Sequence, residues 1–311
     1  MPETISSWWF WLFMFLRMGW FEQRPAVTPV SWKNSQLMVV PSPSEALQTF
    51  SAVVVTGGSS GIGKSFIELM GKLKPDLVFC NLSRRDPDIK NLGKRLNHFA
   101  GDLSRPADVE RTAREVEEFL GQAVPAGQIL LINNSGFGTM GAFPEANLAK
   151  QVEMIDLNVR AVVHLTGLLL PLLRSRGGAI MNVASTAAFQ PTPSMATYGA
   201  TKAFVLHWSL ALNYELRGTG VRALAVCPGT TRTEFFRNAG LKEGNRADAL
   251  AMTPEAVVAE ALHALGAGRS QVVIGWKNKL AAFAASPMPK PLATRVAGAV
   301  LVGYRRRQSK P

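Results

Sequence analysis

Short apolar runs alternate with longer stretches that are apolar on one face from residue 51 onward. Seven runs predict strands, at 52–55, 77–80, 98–100, 129–132, 179–183, 222–227 and 271–274. The stretches between them, such as 107–120 and 148–173, have the spacing of amphipathic helices. Strands joined by helical crossovers form a parallel sheet with helices on both faces. The alternation therefore predicts one α/β domain over residues 51–275, built on a doubly wound, seven-stranded parallel sheet.

A glycine-rich turn stands at the first junction between a strand and a helix. Residues 56–63 read TGGSSGIG, after the apolar run VVV and before the helical stretch IGKSFIELM. Gly57, Gly61 and Gly63 permit a tight turn, close approach of the backbone to a pyrophosphate and packing of the helix on the sheet. The helix N-terminus adds unpaired N–H groups. We expect a dinucleotide to bind here, with Ser59, Ser60 and Ile62 completing the cradle.

The end of the second predicted strand indicates which dinucleotide binds. An acidic residue there would bind the ribose 2′-hydroxyl of NAD, but this chain has Asn81, Leu82 and Ser83, followed by Arg84 and Arg85. Arginines can pair with a 2′-phosphate. The alternative is an ordinary basic loop. The pattern favours NADP(H) over NAD(H).

Tyr198 and Lys202 lie one helical turn apart, and Ser185 precedes Tyr198 by thirteen residues. A lysine ammonium beside a phenol favours the ionised phenol, so we expect a lowered pKa for Tyr198. A serine hydroxyl from another segment could hold a carbonyl oxygen beside that phenol. The three residue types are common, and the spacing alone is weak evidence for chemistry. With a bound dinucleotide, however, the trio would suit proton transfer at a carbonyl or alcohol oxygen.

The net charge of +12 is concentrated near the end of the chain. Residues 276–311 carry eight basic side chains among apolar stretches, which predicts a basic, apolar C-terminal tail. This tail is either solvated or in peripheral contact with an anionic membrane surface. Nucleic acid is disfavoured because no recognition motif accompanies the charge. The histidines and the two apolar-flanked cysteines show no ligand spacing, so we expect no metal, and the reduced cysteines suit a cytoplasmic protein.

The N-terminal extension, residues 1–50, is expected to be poorly ordered or non-native. Residues 8–16 read WWFWLFMFL, which is too short to span a bilayer and lacks the flanks of a signal peptide. The run is either an interfacial anchor or an extension upstream of a true start at Met38.

Taken together, these motifs resemble the single-domain branch of the short-chain dehydrogenase/reductase family, which has a Rossmann-like fold. The resemblance covers nearly all of residues 51–275 and assigns further residues to the site. Those expected to bind the nucleotide are Asp102 and Leu103 in GDLS, Asn134, Ser135 and Gly136 in NNSG, and Pro228, Gly229, Thr231 and Thr233 in PGTTRT. Serine replaces the family's usual alanine at Ser135. Asn158 takes the place of the family's catalytic asparagine and completes a tetrad with Ser185, Tyr198 and Lys202.

The resemblance implies a carbonyl–alcohol oxidoreductase. Tyr198 would act as general acid/base, Lys202 would assist it and hold the nicotinamide ribose, Ser185 would bind the substrate oxygen, and Asn158 would position a relay water. One alternative is a catalytically silent NADP-binding sensor or scaffold of the same fold. Another is an isomerase, although such relatives usually carry a larger C-terminal domain.

The substrate is less constrained. An apolar lining is expected from Phe137, Phe143, Phe189, Met195 and Phe235, together with Met140 and Phe236. These residues suit a hydrophobic ketone, aldehyde, steroid-like alcohol or acyl chain, but each could equally belong to the core or to a subunit contact. Basic residues after Thr233 (Arg237, Lys242 and Arg246) could instead meet an acidic substrate. By resemblance, the helices near 148–173 and 198–217 would form a homodimer or homotetramer.

Overall fold

The computed structural model describes residues 41–235 and 251–308, with side chains to residue 299. The tryptophan-rich N-terminal run lies outside the described residues, as do Phe236, Arg237, Lys242 and Arg246. The described residues belong to one compact unit.

All seven predicted strands are present and form one parallel sheet in the order β3-β2-β1-β4-β5-β6-β7. The strands are β1 Phe50–Thr56, β2 Val78–Ser83, β3 Leu96–Ala100, β4 Gln128–Asn133, β5 Gly178–Val183, β6 Val221–Cys227 and β7 Gln271–Val273. The strand order reverses between β1 and β4. In sheets of this kind, ligands bind at the carboxyl ends of the strands beside such a reversal.

Helices cover both faces of the sheet. They are α1 Gly61–Leu73, α2 Pro106–Ala123, α3 Leu148–Ile155, α4 Ala161–Arg176, α5 Ala196–Glu215, α6 Pro254–Gly266, α7 Trp276–Ala285 and α8 Lys290–Gln308. Short 3₁₀ turns occupy Glu45–Leu47, Lys90–Arg95, Phe143–Glu145 and Thr186–Phe189. The doubly wound α/β fold expected from the sequence is confirmed.

Each central strand contributes to two separate apolar cores because successive side chains point to opposite faces. In β1, Val53 and Val55 pack in one core, whereas Ala52 and Val54 pack in the other. Helices α1 and α6 cover the first core, and α2 and α4 cover the second. Burial on both faces explains why these strands read as continuous apolar runs.

The long helix expected over 148–173 is continuous from Leu148 to Arg176 but contains a π-helical turn at Asp156–Arg160. This helix is long and apolar enough to cross a bilayer by those criteria alone, but a core helix passes the same test. Here Leu165 and Leu169 pack in the core beneath the sheet. We therefore read it as a core helix of the domain.

Residues after β7 form two helices, α7 and α8, where the sequence suggested a tail. Asn278 of α7 donates a hydrogen bond to the Ile274 carbonyl at 2.7 Å. Ala282 and Ala293 are buried, and Gly298 of α8 packs beside Pro193. The sequence did not reveal this packing because small alanine and glycine side chains make the contacts.

Candidate active site

A cavity of about 1090 Å³ opens at the carboxyl edge of the sheet, beside the reversal between β1 and β4. Its walls come from the turns that follow β1, β2, β3, β4, β5 and β6, and from helices α7 and α8. One continuous space therefore connects the glycine-rich turn with the serine, tyrosine and lysine.

The glycine-rich turn leaves room for a ligand because three positions tolerate no side chain. Gly57 and Gly61 have φ angles of 71° and 56°, in the region that favours glycine. A Cβ on Gly63 would lie 2.3 Å from the Gly57 carbonyl oxygen, so α1 could not begin so close to β1 with any larger residue. Ser59, Ser60, Gly61 and Ile62 line the cavity, while Gly63 packs behind it. The turn fits the dinucleotide that the sequence predicted.

The loop after β4 is tied to the same turn. The Thr56 hydroxyl accepts hydrogen bonds from the backbone N–H groups of Asn134 and Ser135, both at 2.9 Å. The Asn134 side chain donates to the Thr56 carbonyl at 3.0 Å. A Cβ on Gly136 would lie 2.9 Å from the Asn158 Oδ1. The cavity lining includes Asn134, Ser135 and Gly136. The backbone at Gly136 also lies close to Asn158 and to the Lys202 Nζ.

Arg84 and Arg85 lie at the cavity wall just beyond β2, and both are exposed. The Ser83 hydroxyl donates to the Arg85 carbonyl at 2.7 Å and so fixes the turn that carries the arginines. The last residues of β2, Asn81, Leu82 and Ser83, provide no carboxylate, and the buried Asn81 side chain accepts from the Gly58 N–H at 2.8 Å. Two exposed guanidinium groups therefore border the cavity at this end of the sheet.

Asp102 and Leu103 line the cavity after β3. Burial alone would raise the pKa of Asp102, but hydrogen bonds from the Ser104 hydroxyl and N–H, with the charges of Arg84 and Arg105, hold it below its ordinary value. The Asp102 Oδ1 accepts these two bonds at 2.7 and 3.0 Å. Asp102 is therefore ionised and fixed in orientation at neutral pH.

Ser185, Tyr198 and Lys202 come together at the cavity floor. Ser185 follows β5, and its Oγ accepts from the Ala187 N–H at 3.1 Å, which orients the hydroxyl. The Ser185 side chain lies close enough to the Tyr198 hydroxyl to favour its ionised form. The Lys202 Nζ donates to the Val183 carbonyl at 2.8 Å and lies 5.9 Å from the centre of the Tyr198 ring.

The expectation that Lys202 lowers the pKa of Tyr198 is wrong in this structure. Burial raises the pKa of Tyr198 to about 12, and the Ser185 side chain only partly opposes that rise. Lys202 is itself only 5% exposed, and burial lowers its pKa to about 8. Spacing along the helix gave the contact correctly, but it could not show how strongly desolvation acts on both groups.

Asn158 lies in the π-helical turn and is almost wholly buried. Its side chain accepts from the Phe137 N–H at 3.1 Å and donates to the Phe137 carbonyl at 2.9 Å and the Thr201 hydroxyl at 3.1 Å. Asn158 thus clamps the loop after β4 to α5, the helix that carries Tyr198 and Lys202. Single π-helical turns within α-helices often occur at functional sites.

The remaining expected residues divide into two groups. Those that line the cavity are Gly57, Pro228, Gly229, Thr231, Thr233, Phe137, Met195 and Phe235. The Phe235 ring lies 5.3 Å from the Tyr198 ring. Phe143 and Phe189 lie elsewhere. Phe143 begins a 3₁₀ turn and is 57% exposed, whereas Phe189 packs against a small core that includes Val205.

Several lining residues were missed in the sequence. Thr139, Lys150, Glu153, Gln190 and Thr192 reach the cavity from loops and from α3. Helices α7 and α8 and the turn between them add Ala281, Ala284, Ala285, Met288, Ala293, Val296 and Ala297. The absence of acidic residues from 276 to 311 set this segment apart, but nothing in it indicated contact with the site.

The fold and the glycine-rich turn at its cavity are those of the dinucleotide-binding class of α/β proteins. The family model for short chain dehydrogenases matches residues 51–244. The chain therefore belongs to the short-chain dehydrogenase family, and it is an oxidoreductase that acts on alcohol or carbonyl groups with a nicotinamide nucleotide.

Individual relatives agree with this assignment. An uncharacterized oxidoreductase of Staphylococcus epidermidis is 31% identical over 210 residues, covering 63% of this chain and 87% of its own. A very-long-chain 3-oxoacyl-CoA reductase of Pyricularia oryzae is 29% identical over 229 residues, covering 71% and 67%. A short-chain dehydrogenase from Sphingobium yanoikuyae, solved in complex with NADPH, is 29% identical with a TM-score of 0.64, covering 76% and 93%.

Proposed function

We propose that this protein is an NADP(H)-dependent carbonyl reductase or alcohol dehydrogenase for hydrophobic or acyl substrates, with Tyr198 as general acid/base. The observation that carries the proposal is the single cavity, which joins the glycine-rich turn at Gly57–Gly61 to the Ser185–Tyr198–Lys202 cluster. A nucleotide bound along this cavity would extend from Arg84 at one end to Tyr198 at the other.

The chain's own residues handle the proton. In the direction of reduction, the Tyr198 hydroxyl is protonated throughout the physiological range because burial raises its pKa to about 12, so it can donate to a carbonyl oxygen. The oriented Ser185 hydroxyl donates to the same oxygen as negative charge develops there. When bound, a reduced nicotinamide nucleotide supplies the hydride. Lys202, held on the Val183 carbonyl, provides a positive charge beneath this site.

Preference for NADP(H) over NAD(H) rests on charge at the end of β2. Arg84 and Arg85 stand at the cavity wall, and Ser83, the lining residue at the end of β2, offers no carboxylate to accept a ribose 2′-hydroxyl. Guanidinium groups bind phosphate with charge-assisted hydrogen bonds. Such bonds would favour a nucleotide with a 2′-phosphate.

The class of substrate is inferred from the lining beyond Tyr198. Phe137, Met195 and Phe235, with the alanine-rich wall of α7 and α8, give the cavity a large apolar share beside its polar lining residues. The relative from Pyricularia oryzae is named for a very-long-chain 3-oxoacyl substrate. Both observations support a carbonyl group carried on a hydrophobic chain.

The test is NADPH oxidation by the purified chain across a panel of ketones, aldehydes and 3-oxoacyl thioesters of increasing chain length. We expect turnover that improves with chain length and is faster with NADPH than with NADH. A protein that binds NADPH but oxidises it with no member of the panel would support the silent sensor. Product formed without net oxidation would support an isomerase.

A further inference from the structure

Helices α7 and α8 present different chemistry on their two sides. The inner side of α7 carries Asn278, Ala281 and Ala285, which contact Ile274 or line the cavity. The inner side of α8 carries Ala293, which is buried, and Ala297, which lines the cavity. Small side chains therefore make the contacts of α7 and α8 with the wall of the active-site cavity.

The outer side of α7 is a row of large apolar side chains that the described residues leave in solvent. Trp276, Leu280 and Phe283 follow one another at helical spacing on one face. Their exposed fractions are 67%, 61% and 80%. Leu292 and Val296 of α8 are about half exposed as well. We call Trp276, Leu280 and Phe283 the outer ridge. Contiguous exposed apolar surface of this kind marks an interaction site.

The segment that carries the outer ridge is basic in sequence. From Trp276 to the end of the chain there are eight lysines and arginines and no acidic residue. Lys277 lies next to the ridge, with its Nζ 5.6 Å from the centre of the Trp276 ring. Lys290 and Arg295 are exposed on α8, while Lys279 is paired with Glu260. Apolar aromatic residues flanked by basic side chains are the composition of helices that lie in the interface of anionic bilayers.

We propose that the outer ridge docks this protein on an anionic phospholipid surface, so that α7 and α8 stand between the bilayer and the active-site cavity. Tryptophan and phenylalanine enter the headgroup region, while Lys277, Lys290 and Arg295 pair with lipid phosphates. A partner protein is less well matched, because the charged side chains of α7 and α8 are all basic, and exposed apolar residues beside basic side chains fit an anionic lipid surface.

Docking in this orientation also defines how substrate arrives. Ala281 and Ala284 of α7 line the cavity and are exposed, so they form part of its rim on the helix that carries the ridge. Val296 of α8 is both half exposed and part of the lining. A carbonyl compound dissolved in the bilayer would reach Tyr198 past these small residues. This second step rests on the proposed reductase function, whereas docking itself does not.

The test is co-sedimentation of the full chain with vesicles of phosphatidylcholine, with and without phosphatidylserine. We expect binding to the anionic vesicles that weakens as salt is raised. The triple variant Trp276→Ser, Leu280→Ser, Phe283→Ser should lower the partition coefficient at least about tenfold. A matched control, Phe143→Ser with Tyr214→Ser, removes exposed aromatic residues elsewhere and should bind like the parent.

Each outcome decides the proposal. Because every variant keeps residues 1–40, an anchor in that segment would leave binding of the triple variant unchanged, and this would overturn the proposal. Equal binding to neutral and anionic vesicles would also overturn it.

A thermal shift with NADP⁺ should be the same for the parent and the triple variant, which shows that the fold and cavity are intact. If vesicles are bound but no ketone is reduced, docking stands and the proposed reductase function fails.

Discussion

Burial shifts the pKa values of the two ionisable groups at the centre of the site in opposite directions. It disfavours the phenolate of Tyr198 and the ammonium of Lys202, raising one pKa to about 12 and lowering the other to about 8. At neutral pH both groups keep their protons. This is the state in which a phenol can give a proton to a carbonyl oxygen and an ammonium can stabilise the charge that remains.

The shift at Lys202 predicts a pH dependence of folding. Its pKa is about 8 in the folded protein, against an ordinary value of 10.5, so the unfolded chain binds more protons between these values. The contribution of Lys202 to stability therefore rises with pH over this interval. Between pH 8 and 9 we expect its contribution to the free energy of unfolding to rise by about 1 kcal/mol.

The measurement compares denaturant unfolding of the parent and Lys202→Met at pH 8 and pH 9. The parent should gain stability relative to the variant over this step. Parallel curves for the two proteins would mean that Lys202 has an ordinary pKa. Tyr198 and the buried Cys227, whose pKa values are both raised, are present in both proteins, so their titration in the unfolded chain cancels from the comparison.

The predicted preference for NADPH over NADH depends on Arg84 and Arg85. Replacing both with alanine should weaken binding of NADPH by about tenfold or more, because a charge-assisted hydrogen bond contributes roughly 1.5–3 kcal/mol. Binding of NADH should change little. Arg114→Ala, an exposed arginine of α2, is the control for loss of positive charge. Equal losses for both nucleotides, measured by fluorescence titration, would show that the arginines do not read the 2′-phosphate.

Among the elements, the start of α1 is the most constrained by its neighbours. Gly63→Ala would push a Cβ to 2.3 Å from the Gly57 carbonyl oxygen. We expect the backbone shift to cost about 1–3 kcal/mol of stability and to weaken nucleotide binding. Gly121→Ala in α2 is the matched control, since its Cβ would meet nothing within 4 Å. That change should raise stability by about 0.5 kcal/mol. Equal thermal shifts for the two variants would refute the role assigned to Gly63.

The strands and the glycine-rich turn could be read from the sequence because local pattern determines them. β1 and β4 are buried on both faces, and their continuous apolar runs admit few other structures. Helices α7 and α8 could not be read in the same way. They pack through Ala282, Ala293 and Gly298, and such small residues give a weak signal of burial in a chain rich in them.

The site residues also divide into those that local sequence pattern predicts and those that depend on the whole fold. The tetrad residues were placed by spacing and by resemblance, and the structure brings Ser185, Tyr198 and Lys202 together as expected. The side chains around the substrate depend on loop paths and packing between distant segments, which explains why Phe143 and Phe189 were expected at the cavity but lie elsewhere. Desolvation also depends on the whole fold, so the direction of the Tyr198 pKa shift was beyond local pattern.

For the whole molecule, exposed apolar side chains on α3 and α5 predict self-association. Leu148, Val152 and Ile155 form one exposed face of α3, and Phe204 stacks on Trp208 in α5. We propose a homodimer or homotetramer through these faces. Leu148→Glu with Val152→Glu should shift the sedimentation coefficient toward that of a monomer, whereas Tyr214→Glu, a control on another part of α5, should not. A parent chain that sediments as a monomer would contradict the proposal.

The central claim is that Tyr198 transfers the proton in a nucleotide-dependent carbonyl reduction, and Tyr198→Phe tests it most directly. The variant keeps the ring that packs near Phe235 but removes the hydroxyl that lies beside Ser185. With the best substrate from the panel, we predict that kcat for NADPH oxidation falls by about 10²–10⁴-fold while the Kd for NADPH stays the same. An unchanged kcat with unchanged NADPH binding would contradict the account.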